Sequence, residues 1–407
     1  MARSQLLLLF TIGFTFFAWG LLGVVLGPLL PEIRVAFDLT STAAGTIFFL
    51  WSVGFSLGSF GSRAVLDRVA PLPLLAGLGL CASAAAVVLH QAPDYLSFAV
   101  AFLCIGLAGG ATFTAGHTLI GRAFVRRRVA ALSALDIVFS TGNIAAPIAV
   151  IALLSAGYSW TLPFLGLAAL FALGSGICGL AMVFTAPRGR DADGSEEEDG
   201  TDTAGGKVSL GLLAVASFAL GWIEQGQHVW LVSFGISSGQ DENVARLGHA
   251  AFLAGMLGVR LLAVILDQRM QSALVLRTLF AVIAAGFAIL VLGRSPSAYL
   301  VGSTMMGAGI GALFPVFLGR ATGVDPKGTA TFSMVMIVSI AVGGQLASLG
   351  LGLLADLGDI VTAFWVNGLI VVLLVLAAER FRHATGAEGV RVTHLPGRST
   401  RPLETAH

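Results

Sequence analysis

The chain has 407 residues, of which 56% are hydrophobic and only 11% charged, with 52 glycines and a formal net charge of +1. A soluble domain carries about a quarter charged residues, so this composition excludes an ordinary soluble enzyme, and the near-zero net charge offers no bulk attraction for nucleic acid. It fits a bundle of membrane-spanning helices, in which glycine is frequent.

A bilayer crossing needs about 20 mainly apolar helical residues. That rule predicts a first group of spans at 6–30, 42–62, 72–90, 96–121, 129–155 and 160–185. The first span is too long for a signal peptide and lacks a clear small-residue cleavage site. A polar stretch follows at 186–208, with the acidic run Glu196-Glu197-Glu198-Asp199, and reads as a solvated tether. A second group falls at 209–234, 246–266, 272–293, 297–319, 329–353 and 359–379. The expected organisation is therefore a six-helix bundle (1–185), a linker (186–208), a second six-helix bundle (209–380) and a polar tail (381–407). Cys81, Cys104 and Cys178 lie in apolar spans without CxxC spacing and read as small packing residues.

Lys and Arg in the connections predict orientation. One side collects Arg3, Arg63, Arg68, Arg122, Arg126, Arg127, Arg128, Arg188, Arg190, Lys207, Arg269, Arg320, Lys327 and the arginines of the tail; the other has Arg34, Arg246 and Arg294. Both termini and the linker are therefore expected in the cytoplasm.

The two groups of spans echo each other. Gly58 and Asp67 recur as Gly258 and Asp267, Ile105-Gly106 through Phe113 as Met306-Gly307 through Phe314, and Gly142 through Ala146 as Gly344 through Ser348. Near-constant offsets across three helix pairs predict tandem parallel repeats, a plan in which substrate is held between the halves.

The seventh span departs most from its apolar surroundings. Glu224, Gln227 and His228 sit at i, i+3 and i+4 and share a helix face. A carboxylate ~20 Å along a spanning helix costs roughly 2.5–3.5 kcal/mol. The reading is a ligand or proton site facing a polar cavity, with a satisfied packing residue as the structural alternative. In the fifth span Asp136, Ser140, Asn143 and Pro147 form a polar stripe at i, i+4, i+7 and i+11. Gln345 and Asn367 in the last two spans are weaker site candidates that also suit helix bridging. His117 lies near Asp136 in depth, where it either shares protons with it or packs. Trp19 and Trp230 are candidate stacking aromatics, or interface anchors and packing residues. Depth along the helix axes matches Glu224 poorly with Arg260 and leaves them unpaired.

In nearly its whole length the chain resembles the major facilitator superfamily, most closely the fucose-permease-like group of bacterial permeases. The likeness rests on Gly27-Pro28-Leu29-Leu30-Pro31-Glu32-Ile33 with Phe37-Asp38-Leu39, on Ala131-Leu132-Ser133-Ala134-Leu135-Asp136, and on Gly221, Glu224 and Trp230. It continues through Phe252, Gly255-Met256 and Arg260 to Leu313-Phe314-Pro315. The resemblance implies an all-α membrane fold of twelve transmembrane helices in two six-helix parallel repeats. Asp67 and Arg68 keep part of the superfamily's loop signature, which implies a weakened latch on the cytoplasmic side. The carboxylates that such sugar permeases carry in helices 1 and 4 are missing here. Helices 5 and 8 face each other in that fold, so Asp136 and Arg260, both ~10 Å deep from the same side, are expected to bridge the halves and close the cytoplasmic side when the carrier faces outward.

The function expected is secondary active transport of a small polar organic solute, with Glu224 as binding or coupling carboxylate and symport with protons as the companion expectation. An exporter of drugs or metabolites is the rival, and a non-transporting sensor stays open. An enzyme is disfavoured, because His117 and Asp136 form no helix-spaced catalytic pattern. Partners are expected to be the solute, protons and the bilayer, with no nucleic acid, no metal and no cofactor, and the chain to be a monomer.

Overall fold

A computed structural model of the chain describes residues 3–124, 128–184, 208–266, 273–325 and 329–386. The acidic run of the linker, Asp267, the tail beyond 386, and Arg126, Arg127, Arg188, Arg190, Lys207, Arg269 and Lys327 lie outside the described residues.

The described residues form helices throughout. Before the undescribed linker come α1 (Arg3–Ala36), α2 (Ser41–Leu66), α3 (Pro71–Gln91), α4 (Tyr95–Ala123), α5 (Arg128–Ser155) and α6 (Leu162–Phe184). After it come α7 (Leu210–Ser237), α8 (Glu242–Leu266), α9 (Ala273–Leu292), α10 (Pro296–Ile310), α11 (Leu313–Val324), α12 (Thr329–Leu357), α13 (Ile360–Phe364) and α14 (Val366–Gly386). The pairs α10–α11 and α13–α14 each make one interrupted crossing, so twelve crossings result, six in each half. Eleven of them are long and apolar enough to span a membrane. The twelfth, α7, is 28 residues long but carries Glu224, Gln225, Gln227 and His228 in mid-span.

Several helices overrun their predicted ends, α1 by six residues at its far end (Ala36 against 30). Hydropathy marks the thickness of the hydrocarbon, whereas the helix continues wherever backbone groups still need partners. Starts in the connections are capped by side chains: Asp94 accepts from the Ser97 N–H on α4 and Asp359 from the Thr362 N–H on α13, both at 2.8 Å. Those donors hold both carboxyls below their ordinary range.

Glycines set the spacing within each half, and they do so twice. In the first half Gly54 faces the Leu103 carbonyl, Gly106 that of Trp51, Gly110 that of Phe55, Gly20 that of Phe139 and Gly142 that of Phe17. In the second half the matching contacts are Gly255 with Thr304, Gly307 with Phe252, Gly311 with Met256, Gly221 with Ile340 and Gly343 with Phe218. Every one of these ten pairs of positions is offset by 201 residues, as Gly54 and Gly255 show. The structure thereby corrects two sequence pairings. Gly255, not Gly258, packs the second half, and Gly343, not Gly344, is the counterpart of Gly142. Sequence matching favoured the wrong glycines because it cannot tell which glycine of a helix meets the backbone of its neighbour: Gly258 faces open space and Gly344 lies against the Gln225 side chain.

At these contacts a methyl group would collide with backbone, which cannot rotate away. Overpacking costs about 1–3 kcal/mol, so Gly307→Ala is expected to lower the thermal unfolding midpoint of detergent-solubilised protein by several degrees. Gly258→Ala, whose added Cβ meets nothing within 4 Å, should leave the midpoint unchanged.

Candidate substrate site between the halves

A cavity of about 370 Å³ lies between the halves. The first half presents Trp51, Ser52, Ser56, Phe139, Ser140 and Asn143 to it; the second presents Glu224, Gln225, His228, Arg260 and Gln345. It joins a vestibule of about 670 Å³ with which it shares Phe139, Ser140, Leu257 and Arg260. The vestibule is lined by the start of α5, the end of α8 and the α10–α11 break, so it lies toward the end of the bundle that carries the termini. There the Asp136 side chain is 67% exposed and that of Arg260 44%.

The charges form a loose chain. Arg260 Nη2 stands 3.9 Å from Glu224 Oε1, and His228 Nε2 stands 4.0 Å from the same oxygen. Both distances exceed hydrogen-bond length, so the carboxylate is neutralised without its hydrogen-bonding capacity being used. On its other side His228 Nδ1 lies 3.4 Å from Nε2 of His249, which is wholly buried on α8. The sequence reading left Glu224 and Arg260 unpaired by depth, and the structure overturns that. Counting residues along a helix places Cα atoms, but an arginine side chain reaches further than the ~5.4 Å of one helical turn.

Arg260 is aimed by a defect in its neighbour. Pro315 has no N–H to give the carbonyl four residues earlier, that of Gly311. The helix breaks there, at Gly311–Ala312, and the freed carbonyl accepts Nε–H of Arg260 at 3.2 Å. The matching place in the first half, 201 residues earlier, holds Gly110, Thr114 and Ser59. Thr114 Oγ1 donates to the Gly110 carbonyl at 3.1 Å and lies 2.8 Å from the Ser59 hydroxyl, and α4 runs on unbroken. One duplicated position thus carries two hydroxyls in one half and a guanidinium in the other.

The expected site residues divide. Glu224, His228, Asn143, Gln345 and Arg260 meet at the cavity. His117 and Asp136 line the vestibule, 3.6 Å apart, with His117 Nδ1 also 2.8 Å from the Phe113 carbonyl. Asp136 and Arg260 line that same vestibule but form no ion pair with each other in this state. Gln227 is wholly buried and lines neither space. The α7 face that meets the cavity is Gly221, Glu224, Gln225 and His228, turned from the predicted one, so Gln225 takes the expected place of Gln227. Trp230 is wholly buried too, with Nε1 donating to the Ser348 carbonyl at 3.2 Å. Trp19 packs on Phe171. Neither lines the cavity; the tryptophan that does is Trp51, beside Phe55 and Phe139, overlooked because nothing around it in the sequence is polar beyond Ser52. Asn367 is a helix bridge, accepting from Trp222 Nε1 at 3.2 Å. Asp67 and Arg68 lie exposed after α2 and make no side-chain ion pair among the described residues.

At the opposite end the halves meet directly. Arg246 of α8, 1% exposed, pairs with Glu32 of α1, donates from Nε to the Pro28 carbonyl at 3.1 Å and reaches Glu242 at 3.2 Å. Asp356 of α12 accepts the first two N–H groups of α2, from Ser41 and Thr42, both at 2.7 Å. Gly27 sits against the His228 carbonyl and Gly45 against that of Ser348. None of these contacts was expected from the sequence, although the lone intramembrane-edge Arg246 was the signal for one of them.

A family model described as the Major Facilitator Superfamily matches residues 8–344. The chain belongs to the major facilitator superfamily. Its homologues are transporters rather than enzymes, and it is a multi-pass membrane protein of that type. The uncharacterised transporter y4wD of Sinorhizobium fredii (strain NBRC 101917 / NGR234) is 31% identical over 180 residues, which is 42% of this chain and 45% of that protein. The aligned part thus spans less than half the length of this relative. Two solved structures share the superfamily fold with it. A bacterial homologue of the human lysosomal transporter Spinster, in an inward-facing and unoccupied conformation, superposes with a TM-score of 0.71 at 14% identity, covering 95% of this chain and 98% of that one. The nucleoside transporter NupG gives a TM-score of 0.70 at 16% identity, covering 94% and 100%. At such identities the likeness speaks for the fold.

Pro315→Ala returns an N–H to the Gly311 carbonyl, in competition with Arg260. Hydrogen bonds to charged groups are worth about 1.5–3 kcal/mol. For any solute that stabilises the wild type in a thermal-shift assay, the variant is expected to need roughly tenfold more solute, with its ligand-free melting midpoint unchanged or raised.

Proposed function

We propose that this transporter moves a small polar organic solute by alternating access, with Glu224 as the carboxylate that couples solute to protons. One observation supports this above the others: the halves close tightly at one end and part around a charged cavity toward the other. A carrier in one of its two states has this form. With the Lys- and Arg-rich end in the cytoplasm, both termini are cytoplasmic, the membrane is the bacterial inner membrane and the state is inward-facing. The Arg246–Glu32 pair and the Asp356 cap on α2 then form the external gate. Asp136 and Arg260 sit on facing helices of the open vestibule, positioned to pair when it closes. One chain encloses the whole path, so a monomer suffices.

The likeness to fucose-permease-like proteins keeps its sequence support, with the working charge moved. Neither α1 nor α4 brings a carboxylate to the cavity, and the acidic group comes from α7 instead. Serine, asparagine and glutamine side chains beside Trp51 suit a solute that exchanges its water for hydrogen bonds and a stacking face.

In proteoliposomes Glu224→Gln is expected to lose accumulation driven by a pH gradient while keeping solute exchange. Proton-driven accumulation at the wild-type level would overturn the coupling role. The gate has its own test. A side-chain cap is worth roughly 1 kcal/mol, about fivefold in a population. Asp356→Ala should therefore speed labelling of a cysteine at Val24 by an impermeant maleimide outside the cell by a few-fold, and an unchanged rate would remove Asp356 from the gate.

A further inference from the structure

The cavity holds a guanidinium whose best donors are unused. Arg260 Nε is spent on the Gly311 carbonyl, while the two Nη groups make no hydrogen bond among the described residues and Glu224 remains at 3.9 Å. Tethering by Nε fixes the plane of the fork, and the fork faces the cavity. A planar pair of parallel N–H donors matches a carboxylate better than a hydroxyl or an amide. Glu224 is equally uncommitted, since neither Arg260 nor His228 reaches it within hydrogen-bond length.

We infer that the solute is a small organic monoanion bearing a carboxylate, which takes Arg260 from Glu224 while Glu224 takes up a proton. The inference rests on the carrier reading and names its substrate class. In the empty cavity Glu224 and Arg260 neutralise each other. An arriving carboxylate places a second negative charge on one guanidinium, within a cavity between helices rather than in bulk water. Neutrality returns when one proton binds Glu224, so a monoanion and a proton cross together and no net charge moves. No bond is made or broken beyond that proton transfer. A doubly charged anion would find only one cation lining the cavity among the described residues, since Arg246 is committed to Glu32 at the closed end. The volume lies near the low end of the roughly 300–1,000 Å³ of small-molecule sites, so the solute is small. Trp51, Phe55 and Phe139 offer its body an apolar face, and Ser52, Ser56, Gln225 and Gln345 line the same cavity with polar groups.

The surroundings of Glu224 can relay a proton drawn from solution, and no second carboxylate lines the cavity among the described residues. On α7 its neighbour is His228. On α8 stand Arg260 and, behind His228, His249 at 3.4 Å. Across Arg260, toward the vestibule, lie Asp136 of α5 and His117 of α4, paired with each other at 3.6 Å. The parts of α1, α2 and α12 lining the cavity bring no ionisable side chain, and α12 brings Gln345. Two imidazoles stand in line from Glu224, His228 and then His249, and can relay a proton to it. A zwitterion, whose ammonium would satisfy Glu224 directly, would leave that relay without a role.

The test uses the purified full-length protein and matched probes: benzoate with benzamide, nicotinate with nicotinamide, gluconate with glucose, and proline and phenylalanine as zwitterions. At least one carboxylate should raise the melting midpoint where its uncharged partner does not, and more at pH 6 than at pH 7.5, because binding takes up a proton. Arg260→Lys keeps the charge but loses the fork, and should weaken that binding at least tenfold. Glu224→Gln should bind the carboxylate with no dependence on pH. In proteoliposomes the carboxylate should acidify the lumen and give no current on a solid-supported membrane. The inference falls if no carboxylate in the panel stabilises the protein, if uncharged or zwitterionic probes do as well, if Arg260→Lys binds as the wild type does, or if uptake carries current. An uncharged probe carried with protons through Glu224 would sink the substrate class and leave the carrier reading standing. A carboxylate that binds as described but never crosses would sink the carrier reading instead.

Discussion

The centre of this protein depends on a carbonyl that its own helix cannot use. Pro315 interrupts the hydrogen-bond ladder between α10 and α11, and the Gly311 oxygen it releases holds Arg260 by Nε. Without that tether a long, charged side chain at the edge of a vestibule would turn to water. With it, the guanidinium stands beside Glu224, and each charge makes the other tolerable at a depth where either alone would be costly. The pair stays too long for hydrogen bonds, which leaves both groups with unused hydrogen-bonding capacity. A tight ion pair would be a structural staple, whereas a loose one can exchange partners.

The same physics is used in the opposite sense at the closed end. There Arg246 is buried and fully engaged, by a carboxylate, a backbone carbonyl and a second carboxylate one helical turn away. Asp356 meets the positive end of α2 with two short bonds. Glycines 27 and 45 let α1 and α2 come within backbone contact of the other half. Charge and close packing both reward contact between the halves here, and both have surfaces that water can satisfy once the halves separate. Such an interface is stable when closed without being permanent.

Duplication explains why the site is lopsided. Ten glycine positions repeat the same backbone contacts at one offset, so each half is built to the same internal spacing. Where the first half has Ser59, Thr114 and an unbroken α4, the second has Arg260, Pro315 and a break. Identical scaffolds leave the side chains at the seam free to diverge, and the working charges have gathered on α7 and α8.

The amino-acid sequence by itself determined the membrane class, the twelve crossings, the two repeated halves and the place of Glu224 at a polar cavity, because hydropathy and an intramembrane carboxylate are local signals of large energy. It also held the α5 stripe, whose Ser140 and Asn143 reach the cavity. What only the tertiary structure decided was partnership. The rotation of α7 that brings in Gln225 and retires Gln227, the turn of Trp230 into packing, the choice of Trp51, and the union of Glu224 with Arg260 all depend on how helices distant in the chain are rotated and how far a side chain reaches. The contacts at the closed end were hidden for the same reason: Glu32 and Arg246 are 214 residues apart, and nothing local in either segment says that they meet.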